Sequence, residues 1–119
     1  MAKVLIVEDE AILALHIKMM LVHLSHEVVG IADNGPEAIE IAREQDPDIV
    51  LIDIVLKGNI NGIEAADVIN KDRGCNIIYM TGHTDTATVN AARKTNPVGF
   101  VFKPIMPYQL EKVIAEALK

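Results

Sequence analysis

Along this chain, apolar positions follow two rhythms that take turns. Short runs rich in Val, Ile and Leu predict strands over Lys3–Val7, Glu27–Ala32, Asp48–Ile52, Ile77–Met80 and Gly99–Phe102. The first, third and fourth carry continuous apolar stretches, as parallel strands covered on both faces do. Helical spacing predicts Ala11–Leu24, Pro36–Gln45, Ile63–Asn70, Thr84–Thr95 and Pro107–Lys119. The punctuation agrees: Pro36 and Pro107 stand at helix starts, while Asp46-Pro47 and Asn96-Pro97 follow helix ends. Five βα units in strict alternation imply an α/β sandwich with a parallel sheet and right-handed crossovers.

Two helices show what they bury. In the last, Leu110, Val113, Ile114 and Ala117 form one stripe that packs on a sheet. The first carries two stripes. Leu13, Ile17, Met20, Leu21 and Leu24 make one, and Ile12, Leu15, Met19 and Val22 make another centred roughly 160° away. A helix lying on a sheet buries one side only. The second stripe is expected to be covered by a neighbouring helix, with a docking surface for a partner as the alternative.

Composition narrows the class. The 119 residues fit a single domain, large enough to fold without disulfides or a structural metal. No apolar run approaches the ~20 residues that cross a bilayer. Lys3-Val4-Leu5-Ile6-Val7 is too short for a signal-peptide core. The lone Cys75 agrees with a reducing compartment, so a cytoplasmic protein is expected, with no membrane partner. A formal charge of −6 and the lack of a basic face argue against nucleic acid.

The candidate chemistry lies where strands end. Open parallel sheets bind ligands outside the carboxyl ends of their strands. Glu8-Asp9 follows the first predicted strand, Asp53 the third, Thr81 the fourth and Lys103 the fifth. If the first and third strands are neighbours, three carboxylates meet there and need a cation to stay ionised. Oxygen-only ligands favour a hard ion, and Mg²⁺ suits best because it keeps waters that a phosphate can replace. Asp53, at the end of a buried strand, is placed for nucleophilic attack on phosphorus. The Lys103 ammonium supplies counter-charge, the Thr81 hydroxyl can bond a phosphoryl oxygen, and Gly82 leaves the approach open.

In this order and placement, these residues resemble the receiver domains of two-component response regulators, of which the chemotaxis receiver is one. The resemblance spans essentially the whole chain. Glu8-Asp9 is similar to the family's metal-binding pair, and Asp53 in Ile-Val-Leu-Ile-Asp to its phosphoacceptor. Thr81-Gly82 and Lys103-Pro104 match its Thr-small and Lys-Pro steps. Asn34-Gly35 with Ala38, and Asn61-Gly62-Ile63-Glu64, match accessory features.

The resemblance implies a flavodoxin-like three-layer α/β/α sandwich with strand order 2-1-3-4-5. It implies Mg²⁺ held by Glu8, Asp9, Asp53 and the main-chain carbonyl of Val55. A sensor histidine kinase or a histidine phosphotransfer protein would donate the phosphoryl group. Thr81 and Phe100 occupy the family's switch positions, through which the surface of helix 4, strand 5 and helix 5 is remodelled. That surface serves the family for homodimers or downstream protein partners, which the residues here do not demonstrate. Receivers promote only their own phosphorylation and dephosphorylation, so no enzyme acting on a separate substrate is expected.

The sequence departs from the pattern in places. Glu8 replaces the commoner aspartate, lengthening one metal arm enough for a water to intervene. The loop Lys57–Gly62 is longer and lacks proline, which predicts a mobile edge. Phe100 lacks the hydroxyl of the frequent tyrosine, and Ile105 stands where phenylalanine is frequent. His83, near the rim, reads as a solvated loop residue, with the ordering of an attacking water as the alternative. His16, His23 and His26 read as surface or packing residues.

Two other functions compete. A receiver-like binding module working without phosphorylation would be favoured had Asp53, Lys103 or the acidic pair been lost. An aspartate-nucleophile phosphohydrolase would carry Asp-x-Asp after the first strand, where this chain has Glu8-Asp9-Glu10. No output domain follows the last helix, so residues 1–119 read as a stand-alone receiver or a piece of a larger regulator or hybrid kinase.

Overall fold

Successive residues of a strand face opposite ways, and here both directions end in core. The computed structural model describes residues 1–82 and 86–119. The elements are β1 (Lys3–Val7), α1 (Ala11–His23), β2 (Glu27–Ala32), α2 (Gly35–Gln45), β3 (Ile49–Asp53), α3 (Gly62–Arg73), β4 (Asn76–Thr81), α4 (Thr86–Arg93), β5 (Gly99–Phe102) and α5 (Pro107–Ala117). All strand pairs are parallel, in the order β2-β1-β3-β4-β5. This is the predicted fold class and the implied strand order.

Val4, Ile6, Ile49, Leu51, Ile78 and Met80 pack on one side with Ile17 and Leu21 of α1 and Leu110, Val113 and Ile114 of α5. Leu5, Val7, Val50, Ile52, Ile77 and Tyr79 pack on the other with small residues of α2, α3 and α4, among them Ala38, Ala65 and Ala92. The continuous apolar runs of the central strands follow from this double coverage.

Element ends moved by a few residues, for local reasons. β3 was expected over Asp48–Ile52 but runs to Asp53, which pairs with Met80. Asp48 instead receives the Lys3 N–H on its carboxylate at 2.8 Å. β4 extends to Thr81 against Phe102. α3 begins at Gly62 behind a capping box, in which Asn61 Oδ1 accepts the Glu64 N–H and Glu64 Oε1 accepts the Asn61 N–H. The expected start of the fourth helix, Thr84, and His83 lie outside the described residues.

The second stripe of α1 corrects an expectation. Ile12, Leu15, Met19 and Val22 are 87, 55, 61 and 57% exposed, not covered by a neighbour. On this side of the sheet α1 shares the core with α5, while three helices crowd the other side. The outward face of α1 therefore has nothing to lean on. His16 and His23 are also exposed, whereas His26 Nδ1 accepts the Ala2 N–H at 3.0 Å.

This exposure sets an expected contrast in urea unfolding. Leu15→Glu and Met19→Lys change stability by no more than about 0.5 kcal/mol, as surface substitutions do. Ile17→Ala, one turn away on the buried face, costs about 2–5 kcal/mol.

Candidate functional site

Ladder hydrogen bonds carry the polar residues to one edge of the sheet. The Glu8 N–H donates to the Ala32 carbonyl at 2.9 Å, extending the β1–β2 pairing past Val7. The Ile54 N–H donates to Met80 at 3.1 Å, and the Lys103 N–H to Thr81 at 2.9 Å. Each strand thus holds its shape right up to the polar residue, and the side chains there inherit fixed backbones.

Glu8, Asp9, Asp53 and Lys103 come together as the sequence predicted. One carboxylate oxygen from each of the three acids lies within 4.8 Å of the others. Lys103 Nζ donates to Asp53 Oδ2 at 2.7 Å and stands 3.1 Å from Glu8 Oε1. The second contact is an ion pair without hydrogen-bond alignment, so the buried Oε1 has charge compensation but no hydrogen bond. Asp53 Oδ1 accepts the Val55 N–H at 2.9 Å, and Glu8 Oε2 accepts the Glu10 N–H at 3.1 Å. Glu8 and Asp53 are 1% and 5% exposed. Thr81 is buried at the adjoining strand end. Asp9, Glu10, Asp53, Val55, Gly82 and Lys103 line a cleft of about 350 Å³.

Charge is unevenly matched here. Burial, reinforced by the charge of Asp53, pushes the Glu8 carboxyl up to about 7 against the opposing Glu10 N–H and Lys103. Burial pulls the Lys103 ammonium down, but its contacts with Asp53 and Glu8 outweigh that and leave it raised. Three acids facing one ammonium, all donors being oxygen, with one buried carboxylate oxygen lacking a hydrogen bond, fit a hard divalent cation.

The loop after Asp53, predicted to be a mobile edge, is tied at several points. Leu56 is buried, the Lys57 N–H donates to Asp9 Oδ2 at 3.2 Å, and the Gly62 N–H donates to Ile54 at 3.0 Å. Phe100 is half-buried, 5.7 Å from the Tyr79 ring and 6.5 Å from that of Phe102. The Arg93 guanidinium lies 5.5 Å over it.

Sequence reasoning did not find Arg93, which is remote in the chain and carries no motif. It also missed the Glu8–Lys103 pair. The longer glutamate arm, read for its reach toward metal, was the available signal.

Because the folded Glu8 carboxyl sits above its ordinary 4.5, the native state holds more protons than the unfolded chain between about pH 4.5 and 7. Without divalent ions, stability is therefore expected to fall as pH rises through that window, by at most about 3 kcal/mol. Urea titrations of wild type and Glu8→Gln in EDTA check this: the slope attributable to Glu8 disappears in the variant.

Comparison with known proteins agrees with this arrangement. The family model described as the response regulator receiver domain matches residues 4–115. The chain is 35% identical over 118 residues to the chemotaxis protein CheY of Thermotoga maritima, covering 98% of each. It is 34% identical over 102 residues to the transcriptional regulatory protein PdtaR of Mycobacterium tuberculosis, covering 86% of this chain and 49% of that protein. The chain thus spans about half the length of the mycobacterial regulators it matches. Among solved structures, the signal receiver domain of a modulated diguanylate cyclase from Desulfovibrio desulfuricans G20 superposes with a TM-score of 0.94. The sequence identity is 36%, over 99% of this chain and 94% of that one. With fold, strand-end chemistry and relatives in agreement, the chain belongs to the response regulator receiver domains of two-component systems.

Proposed function

We propose that Asp53 accepts a phosphoryl group, with Mg²⁺ held by Glu8, Asp9, Asp53 and the Val55 carbonyl. One observation carries this reading: Lys103 Nζ, 2.7 Å from Asp53 Oδ2, holds the carboxylate beside two further acids at an open cleft. A carboxylate oxygen of Asp53 attacks phosphorus, a P–O bond forms, and the bond from phosphorus to the donor breaks. When the donor is a phosphohistidine, the imidazole leaves with the P–N electron pair and takes up a proton from solvent. The metal, when bound, neutralises charge on the phosphoryl oxygens. Lys103 supplies the second counter-charge, and the Thr81 hydroxyl donates to a phosphoryl oxygen.

The donor is a sensor histidine kinase or a histidine phosphotransfer protein, in the cytoplasm. Leu15 shares a cleft with Glu8 and Asp9, so a protein presenting a phosphohistidine to Asp53 passes over the exposed stripe of α1. Added charge at Asp53 then biases Thr81 and Phe100, altering the face built by α4, β5 and α5. On either side of β5 that face has clefts, one lined by Val89, Arg93 and Phe102 and another by Phe100, Tyr108 and Val113. They offer room for a second copy or a downstream protein.

Intact-mass measurement with acetyl phosphate tests the acceptor. Wild type gains one phosphoryl group with Mg²⁺, and neither Asp53→Asn nor wild type in EDTA does. No gain in wild type would favour a binding module that works unphosphorylated. The α1 route has a separate check. Leu15→Glu with Met19→Lys slows transfer from a phosphorylated kinase that charges wild type, by about tenfold or more, and leaves the acetyl phosphate rate unchanged.

A further inference from the structure

Gly62 opens α3 in an ordinary helical conformation, without the positive φ that usually explains a glycine. It is there for space. A Cβ built on it would lie 1.9 Å from the carbonyl oxygen of Asp53, 2.8 Å from its carbonyl carbon and 3.0 Å from the Ile54 Cα. These are backbone atoms, which cannot rotate aside as a side-chain tip can. We infer that Gly62 is a positioning residue: its bare Cα sets where the Asp53 peptide, and hence the carboxylate, sits.

Relief of such a clash falls on whatever is held least. α3 is held firmly, with Ala65, Ala66 and Ile69 buried against the sheet and its first turn locked by the Asn61–Glu64 box. β3 is fixed through its pairing with β4 up to Asp53. The peptides just beyond are held by fewer bonds: Ile54 to Met80, Gly62 to Ile54, and the exposed Val55 through its N–H to Asp53 Oδ1. A methyl group at position 62 therefore displaces this peptide by on the order of 1 Å. It disturbs the carboxylate's contacts with Val55 and Lys103. Misplacement on that scale costs a reacting group about tenfold to a hundredfold in rate.

This deepens the reading of Asp53 as acceptor and rests on it, so wild type is the reference. The test compares Gly62→Ala with Gly30→Ala. The Gly30 Cβ would meet Ile41 Cγ2 at 2.9 Å, a side-chain methyl of α2, and β2 lies two strands from the one that carries the acceptor. Three quantities are measured on each: urea stability, phosphorylation rate at saturating acetyl phosphate and Mg²⁺, and the NMR signal of the Lys103 ammonium without metal or phosphodonor.

Both variants are expected to lose stability. Only Gly62→Ala should lose at least about tenfold in maximal rate and shift the Lys103 signal. A folded Gly62→Ala with a wild-type Lys103 signal and a rate within about twofold of wild type overturns the inference. So does a Gly62→Ala chain that stays unfolded in trimethylamine N-oxide, which would make this glycine a requirement for folding. Absence of phosphorylation in wild type would instead defeat the acceptor reading and leave the Lys103 signal to judge the positioning.

Discussion

Two buried carboxylates, Glu8 and Asp53, share one ammonium at the edge of this sheet with Asp9 close by, and the strands that carry the pair hold it together. Glu8, Asp53 and Lys103 each continue a hydrogen-bonded strand, so their separations are set by the 4.7–4.9 Å spacing between strands. Repulsion in such a frame is not relieved by drift. It is met by proton uptake at Glu8, by the ion pair with Lys103, or by an added cation. The sheet therefore stores an electrostatic imbalance beside the cleft lined by Asp9, Asp53 and Lys103.

Much of this was legible in the chain. Ile49–Ile52 announced a strand buried on both faces, and Lys3–Val7 another, and two of the helices were marked by Pro36 and Pro107. The spacing of polar residues after those runs placed the acids and the lysine at one edge. What sequence could not supply was which carboxylate the lysine would choose. Lys103 reaches both Asp53 and Glu8, and only the third dimension fixes that.

The first helix was the harder case. Its two apolar stripes were visible, but periodicity counts residues that avoid water and cannot count the neighbours available to cover them. With α1 and α5 alone on their side of a five-stranded sheet, Ile12, Leu15, Met19 and Val22 stay in solvent. Gly62 was noticed only as part of a motif. Its reason is a distance to the Asp53 carbonyl, a tertiary fact with no trace in local pattern.

The sheet is also mechanically uneven. All five residues of β3 are buried between two cores, whereas β5 is an edge strand of four residues, only one of them fully buried. Phe100 and Phe102 of this strand stand in line with the buried Tyr79 ring of β4, and the Arg93 guanidinium lies over Phe100. A central strand packed on both faces has every contact to lose when it shifts, whereas an edge strand of mostly half-exposed residues has few, so the least costly local opening of this sheet lies at its β5 rim.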